Sequence, residues 1–228
     1  MAGDAEFVNG TQADDRATQI EIRQACSSDR DAIGDFLAGL SLRTRYLRFF
    51  AGVMPVTPAM LHRLAGGGMA DGDAASGGTG GDHIDALLAT EDGAIIGHAM
   101  AVGTRGSSGA QVTEIGVVVA DARQGQGVGS ALMRALAGRA QARGATVIVM
   151  DVLAENQETL AMITNHFPAA RHHRSGPYVT IHVPLARYQE EQPREPFART
   201  RQPQPCGQPG HDRKRHLRQR AAAGLPVG

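Results

Sequence analysis

The segment from Val117 to Gly144 limits the possible folds more than any other part of this sequence. A run of valines leads into a loop of alternating glycines, and an alanine- and arginine-rich stretch follows and ends at Gly144. Backbone N–H groups at a helix N-terminus bind anions, and glycines let a phosphate come close to the backbone. The segment therefore predicts a strand, a phosphate-binding loop and a helix over about 127–143.

The flanking patterns predict that this unit belongs to a mixed α/β sheet. Alternating or apolar runs predict strands at 18–25, 83–90, 94–104, 111–120, 146–153 and 178–185, and capped apolar stripes predict helices at 27–40, 41–50, 57–66 and 156–167. Short turns make the three strands before the loop antiparallel neighbours. The apolar strand after the loop helix is expected to run parallel to the strand before it. We expect a central mixed sheet flanked by helices.

Composition divides the chain into three parts. Residues 1–18 are polar and acidic and predict a flexible N-terminus, and 19–185 carry the periodic patterns of one domain. Within that domain, the glycine-rich stretch 66–82 predicts a flexible loop. Residues 186–228 are rich in Pro, Gln and Arg and predict a disordered basic tail. A nucleic-acid-binding arm is the alternative for the tail, but no interleaved aromatic residues support it.

Charge and apolar content indicate a protein without a membrane or nucleic-acid partner. Hydrophobic residues make up 42% of the chain, enough to bury a core, and the formal net charge is zero. No apolar run approaches the ~20 residues of a membrane span. The N-terminus lacks a basic start followed by an apolar stretch, so it is not a secretory signal. We expect a cytoplasmic protein.

The glycine spacing distinguishes among the known phosphate loops. A nucleotide P-loop needs a lysine after its last glycine, and none stands here. A Rossmann dinucleotide site fits Gly125, Gly127 and an acid at Asp151, but Ser130 replaces its third glycine and antiparallel strands precede the loop. A dinucleotide-binding oxidoreductase and a glycine-rich turn without a ligand remain as alternatives.

A third interpretation explains more of the chain. The residues Gln124-x-x-Gly127-x-Gly129, preceded by Arg123 and the valine strand, match the pattern [Q/R]-x-x-G-x-[G/A] of the acetyl-CoA loop in GNAT acetyltransferases. The order of elements from about Ile20 to Leu185 is similar to that family as well. The stretches "FLAGLSLRTRYLRFF" and "EIGVVVADARQGQGVGSALM" especially resemble the acetyltransferase domain of bacterial protein-lysine acetyltransferases.

The resemblance implies a GNAT fold, in which the strand before the loop splays away from the parallel strand beside it. It implies that the pantetheine arm of acetyl-CoA lies in this gap and that the pyrophosphate lies on the loop, with no metal. The residues expected to bind acetyl-CoA are Val117, Val118, Val119, Arg123, Gln124, Gly125, Gln126, Gly127, Val128, Gly129, Ser130 and Asn156. Asn156 also has a simpler role as a helix N-cap.

Glu114 is the candidate catalytic residue. Transfer of an acetyl group to an amine requires the neutral amine, so a general base is useful. Strand alternation places Glu114 on one face with Gly116 and Val118. The simple structural role is an edge or salt-bridged carboxylate, whereas the resemblance implies a general base at this position. The helix at 156–167 contains no tyrosine to act as general acid, so the acid stays unassigned.

Two further groups of residues have open interpretations. His172, His173 and His182 have no acidic or cysteine partner at ligand spacing, so a metal site is not expected. Arg43, Arg45 and Arg48 form either a solvated helix face or a surface that favours an acidic acceptor or partner.

The sequence thus predicts an acetyl-CoA-dependent acyltransferase acting on an amine, either a protein lysine or a small molecule, as a monomer or a homodimer. A catalytically silent acyl-CoA sensor is the alternative within the same fold.

Overall fold

The structure is a computed structural model that describes residues 20–51, 55–67, 83–105 and 111–185. The predicted flexible N-terminus at 1–18, the predicted tail at 186–228 and all but the first two residues of the predicted loop at 66–82 lie outside the described residues.

The chain begins with a short strand and three helices. These are β1 (Glu21–Gln24), α1 (Arg30–Gly39), α2 (Leu42–Phe49) and α3 (Pro58–Leu64). The N-caps of α2 and α3 are Ser41, whose hydroxyl accepts from the Thr44 N–H at 3.1 Å, and Thr57, whose hydroxyl accepts from the Met60 N–H at 3.2 Å.

The sequence offers Ser28 or Asp29 as the cap of α1, and Asp29 has the N-cap position but does not cap the helix with its side chain. A 3-10 turn at Ser27–Asp29 precedes α1. The Asp29 carboxylate instead accepts two hydrogen bonds of 2.8 Å from the Arg23 guanidinium. The Cys26 N–H also donates to this carboxylate at 2.8 Å, so the partners of Asp29 are residues that precede α1.

The rest of the chain supplies most of the sheet. Its elements are β2 (His83–Glu91), β3 (Ala94–Arg105), β4 (Gln111–Val119), α4 (Val128–Ala142), β5 (Val147–Leu153), α5 (Gln157–His166), β6 (Arg171–Ser175) and β7 (Tyr178–Pro184). Asp92 and Gly93 both have positive φ in the turn between β2 and β3, as a two-residue hairpin of the primed type requires.

The seven strands form one mixed sheet in the order β1-β2-β3-β4-β5-β7-β6. The strands β4 and β5 run parallel, joined by α4, and the other described neighbours are antiparallel. This confirms the predicted fold class, including the parallel pair on either side of the loop helix.

Strand β6 was not predicted. Its sequence, Arg171–Ser175, contains no apolar residue and every residue in it is exposed, so it shows no alternation of apolar and polar positions. It forms an edge of the sheet and pairs with β7 through main-chain hydrogen bonds. Edge strands with charged side chains are common because they resist pairing with other chains.

Helices cover both faces of the sheet. On one face, α1 and α3 pack against Ala86, Leu88 and Val118. On the other face, α4 and α5 pack against the alternate positions, such as Leu87, Ile115 and Ile148. The two faces of β4 thus meet different helices, which separates the residues at even positions from those at odd positions.

Candidate active site

The pairing of β4 with β5 ends early. The registered pairs run only from Val112 with Val147 to Glu114 with Val149, although both strands continue. Beyond Glu114 the strands diverge, and a cleft of about 690 Å³ opens between them and extends to the N-terminus of α4. A splayed parallel pair leaves main-chain groups of β4 without a strand partner.

The glycine loop closes one end of this cleft. Gly125 and Gly127 have φ values of 72° and 82°, which L-residues with side chains rarely adopt. The first hydrogen bond into α4 runs from the Ala131 N–H to the Gly127 carbonyl at 3.0 Å. The N–H groups of the preceding residues, 125–130, donate no hydrogen bond to any described residue. This arrangement is a site for an anion.

The predicted cofactor-binding residues mostly lie together. Those lining the cleft are Val117, Val118, Val119, Arg123, Gln124, Gly125, Gly127, Gly129, Ser130 and Asn156. The side chains of Gln126 and Val128 turn elsewhere. The Gln126 amide donates to the Ala122 carbonyl at 3.0 Å, and the Val128 side chain, 3% exposed, packs in the core. Gln126 and Val128 can therefore contact a ligand only through their backbone N–H groups.

Arg123 and Gln124 hold the loop in place. The Arg123 guanidinium donates to the Glu91 carboxylate from Nε at 2.8 Å and from Nη2 at 2.5 Å, which ties the loop to β2. The Gln124 amide donates to the Val119 carbonyl and to the Thr44 hydroxyl, both at 3.1 Å. These polar side chains are committed to protein partners, so the loop is preorganised.

Asn156 is the N-cap of α5. Its side-chain oxygen accepts a hydrogen bond from the Thr159 N–H at 3.3 Å, and the residue also lines the cleft. The cap explains why a helix starts here, and the position at the cleft wall is compatible with the predicted second role in binding the cofactor.

Glu114 stands where the two strands part. Its side chain is exposed and lines the cleft, next to Val102 on β3 and on the same face of β4 as Gly116. No salt bridge joins Glu114 to another described residue, so Glu114 is not a salt-bridged structural carboxylate. A solvent-accessible carboxylate at the cleft can accept a proton.

Sequence reasoning missed a contact that joins α2 to the loop. The Asp121 carboxylate accepts hydrogen bonds from the Ser41 N–H at 3.0 Å, the Ser41 hydroxyl at 2.6 Å and the Thr44 hydroxyl at 2.7 Å. The Ser41 hydroxyl is the strongest of the groups that lower the pKa of Asp121, followed by the Ser41 N–H. These residues are about 80 positions apart, so no local pattern indicates that they meet.

The three arginines of α2 do not form one solvated face. Arg43 is exposed, but Arg48 points toward the sheet and lines the cleft beside Glu114. A Cβ on Gly116 would overlap the Arg48 guanidinium, so this glycine gives the cation room against the strand. A glycine among branched residues of a strand was the one signal in the sequence for such a close approach.

A neutral histidine lies under the same helices. His98 on β3 is 1% exposed, and its Nε2 lies 2.8 Å from the Leu64 carbonyl. Burial is the main cause that lowers the pKa of His98 to about 4; the Leu64 carbonyl opposes this shift, and the Arg48 charge adds to it. His98 is therefore uncharged at neutral pH and donates to Leu64.

Among the described residues, no group of three His, Cys, Asp or Glu side chains is placed to hold a metal ion. His172 and His173 are exposed on the edge strand β6, and His182 is exposed on β7. None of the described helices is long and apolar enough to cross a membrane.

Residues 73–167, which include β2 to α5 and the whole loop, match the sequence model of the acetyltransferase (GNAT) family. Over this stretch the chain is similar to the GNAT acetyltransferases. The matched stretch contains Glu114, the splayed strands and the glycine loop, so the match includes most of the residues that line the cleft.

Solved structures of GNAT acetyltransferases share the fold of this chain. The GNAT domain of PAT from S. lividans is 23% identical, with a TM-score of 0.56 over 72% of this chain and 89% of that chain. A GNAT-family acetyltransferase from Streptococcus pneumoniae is 19% identical, with a TM-score of 0.54 over 72% of this chain and 97% of that chain.

A third structure contains a ligand. The acetyltransferase yncA from Salmonella typhimurium, solved with its cofactor acetyl-CoA, is 16% identical, with a TM-score of 0.52 over 74% of this chain and 95% of that chain. No curated protein sequence matches this chain.

The strand topology argues against the dinucleotide-binding alternative. A Rossmann sheet is built from parallel strands with the glycine fingerprint after its first strand. Here the loop follows β4, which is antiparallel to β3, and β3 is antiparallel to β2.

Proposed function

We propose that this GNAT domain transfers the acetyl group of acetyl-CoA to an amine. The observation that carries the proposal is the cleft itself, which has unpaired backbone N–H groups of the loop at one end and the Glu114 carboxylate near the other. An anion site and a proton acceptor joined by an open strand edge suit a long phosphorylated thioester.

The strand edge suits the pantetheine arm. The Ala120 N–H donates to the Ile96 carbonyl on β3, so alternation along β4 directs the N–H and C=O of Val117 and Val119 away from β3 and toward the opened side. The Gln124 amide occupies the Val119 carbonyl. Val117 therefore offers both a donor and an acceptor to the amide groups of the arm, while residues 125–130 offer N–H groups to the phosphates.

Glu114 has the role of general base. When bound, acetyl-CoA supplies a thioester whose carbonyl carbon forms a bond to the amine nitrogen as its bond to sulfur breaks. Glu114 takes the proton that the amine nitrogen loses, directly or through a water molecule. No tyrosine of the described chain lines the cleft to protonate the sulfur. A thiol with a pKa near 8.5 leaves as a thiolate without a strong acid, so such a residue is not essential.

The acceptor is an amine, either a protein lysine or a small molecule, and we place the reaction in the cytoplasm. The competing proposal in the same fold is a silent acyl-CoA sensor. A sensor would bind acetyl-CoA without releasing CoA thiol and would be indifferent to the loss of the Glu114 charge.

Replacing the base tests the proposal. In Glu114→Gln we expect kcat/KM for thiol release to fall by about 10²- to 10⁴-fold, because the amine loses its proton acceptor. The Kd of acetyl-CoA, measured by calorimetry, should change little because the loop and the strand edge are intact.

The matched control is Glu155→Gln, which removes an exposed carboxylate that does not line the cleft. It should keep the rate of the unmodified protein. Equal turnover in Glu114→Gln and the unmodified protein would exclude Glu114 from the chemistry, and an absence of turnover in both with tight acetyl-CoA binding would favour the sensor.

A further inference from the structure

The acetyl-transfer mechanism leaves the contacts of Arg48 at the cleft unexplained. The Arg48 side chain extends from α2 across the face of β4 that carries Glu114, Gly116 and Val118. The guanidinium lies against the Gly116 backbone, and its carbon is 5.0 Å from the centre of the Phe49 ring. A glycine and an aromatic ring thus hold this cation at a fixed place in the cleft wall.

The hydrogen-bonding capacity of Arg48 is unused within the described chain. No described residue forms a hydrogen bond or salt bridge with the guanidinium, and its Nε is fully buried without a partner. Burial lowers the pKa of Arg48, and the Glu114 charge opposes this shift. A buried donor without an acceptor is costly, and the guanidinium also faces the cleft, so an acceptor is expected to come from a bound molecule.

The phosphates of acetyl-CoA are poorly placed to be that acceptor. The loop N–H groups lie beyond Val119 at the start of α4, and α4 covers the opposite face of β4. Arg48 instead shares a face with Glu114, where the amine must approach. Glu114 and Gly116 are two residues apart, which is about 6–7 Å along a strand.

We infer that Arg48 binds a carboxylate on the acceptor, so that the acceptor is a small amino acid whose amine lies at Glu114 while its carboxylate pairs with the guanidinium. This inference rests on the proposed function. Arginine binds carboxylates through two parallel hydrogen bonds, which fixes the orientation of the bound molecule as well as its affinity. The short distance between Glu114 and Gly116 suits a molecule whose amine and carboxylate are separated by a few bonds.

Paired acceptors test the inference. Glycine is compared with glycinamide, and β-alanine with β-alaninamide, by thiol release at concentrations corrected to the neutral amine. We expect the unmodified protein to prefer the carboxylate member of at least one pair, and Arg48→Gln to lower this preference in kcat/KM by about 10- to 100-fold. Arg43→Gln, which removes an exposed charge from the same helix, should keep the preference.

Gly116→Ala is a second variant that tests the same site in case Arg48→Gln does not fold. The added Cβ would displace the guanidinium, because the flexible Arg48 side chain can move aside. This variant keeps the positive charge of Arg48. We expect it to lower the carboxylate preference in the same direction as Arg48→Gln. No preference in the unmodified protein for either pair, or equal losses for acid and amide in Arg48→Gln, would overturn the inference.

A binding experiment separates this inference from the proposed function. β-Alanine and β-alaninamide are titrated by calorimetry into the protein saturated with CoA. Binding of the acid that depends on Arg48, without turnover of any acceptor, would support the carboxylate site and refute the transferase. Turnover of acids and amides at equal rates, with no Arg48-dependent binding, would support the transferase and refute the carboxylate site.

Discussion

At the scale of single residues, His98 makes the stability of the core beneath the cleft depend on pH. It lies on β3, donates to the Leu64 carbonyl at the end of α3 and is exposed to the charge of Arg48. A proton on this imidazole would face Arg48 inside the core and would leave the Leu64 contact as the single compensating bond.

This environment predicts an acid-sensitive component of stability. The folded pKa of about 4 lies below the usual value of 6.5, so between these values the unfolded chain binds more protons than the folded one. The contribution of neutral His98 to the free energy of unfolding is complete above pH 6.5. It declines as the pH falls toward 4, by about 3 kcal/mol in total. Unfolding by denaturant between pH 4.5 and 7 measures it.

His98→Gln supplies the comparison, since its amide can still donate to Leu64 but does not titrate in this range. We expect its unfolding free energy to vary less with pH than that of the unmodified protein. Identical pH dependence in the two proteins would contradict the assignment of this component to His98.

At the scale of elements, Asp121 fixes α2 beside the loop. It accepts from Ser41 and Thr44 at the N-terminus of α2 and so serves as a second cap supplied by another part of the chain. The same helix carries Arg48, so the position of the cation depends on this contact. Asp121 is exposed, and solvent limits its contribution to stability to about 1 kcal/mol or less.

Loss of this cap should loosen α2 without unfolding the domain. In Asp121→Ala we expect faster hydrogen exchange at the amides of α2 and a Tm lower by a few degrees, about 2–4 °C per kcal/mol. Because the folded pKa of Asp121 is lowered, the difference between the two proteins should be full near neutral pH and shrink as the pH falls below about 4. Asp35→Ala, an exposed acid on α1, is the control. Unchanged exchange in α2 would contradict a role for Asp121 in docking this helix.

The elements that the sequence predicted are those with a strong local pattern. The valine run, the glycines at 125 and 127 and the apolar stripe of α4 specify β4, the loop and the helix with little help from distant residues. The cap residues Thr57 and Asn156 marked the starts of two helices because each satisfies N–H groups within the same segment. The resemblance to GNAT acetyltransferases then predicted the splay of β4 from β5.

What the sequence did not predict depends on contacts between distant segments. The strand β6 has no apolar face and exists because β7 offers a hydrogen-bonding edge. The direction of Arg48 depends on which face of α2 meets the sheet, and helical spacing alone does not determine this. The ties from Asp121 to α2 and from Arg123 to Glu91 join residues that are far apart in sequence.

At the scale of the whole molecule, the cleft divides a sheet that is otherwise continuous. A buried ion pair holds the opposite end of α4 to the sheet. Asp85 on β2, 3% exposed, accepts from Arg139 at 2.6 and 2.9 Å and pairs with Arg143. Burial raises the pKa of Asp85, but the hydrogen bonds from the two arginines outweigh it and the net shift is downward. With α4 anchored at this end, its N-terminus can hold the loop at a fixed place over the cleft.

A ligand that bridges the loop and the splayed strands should therefore stabilise the whole domain. At about a hundredfold excess over its Kd, acetyl-CoA would add about 2.7 kcal/mol, or a rise in Tm of about 5–10 °C. Thermal unfolding with acetyl-CoA and, in parallel, with NAD measures this directly. We predict that acetyl-CoA raises the Tm and that NAD does not; a rise with NAD alone, or with neither compound, would contradict an acetyl-CoA site between β4 and β5.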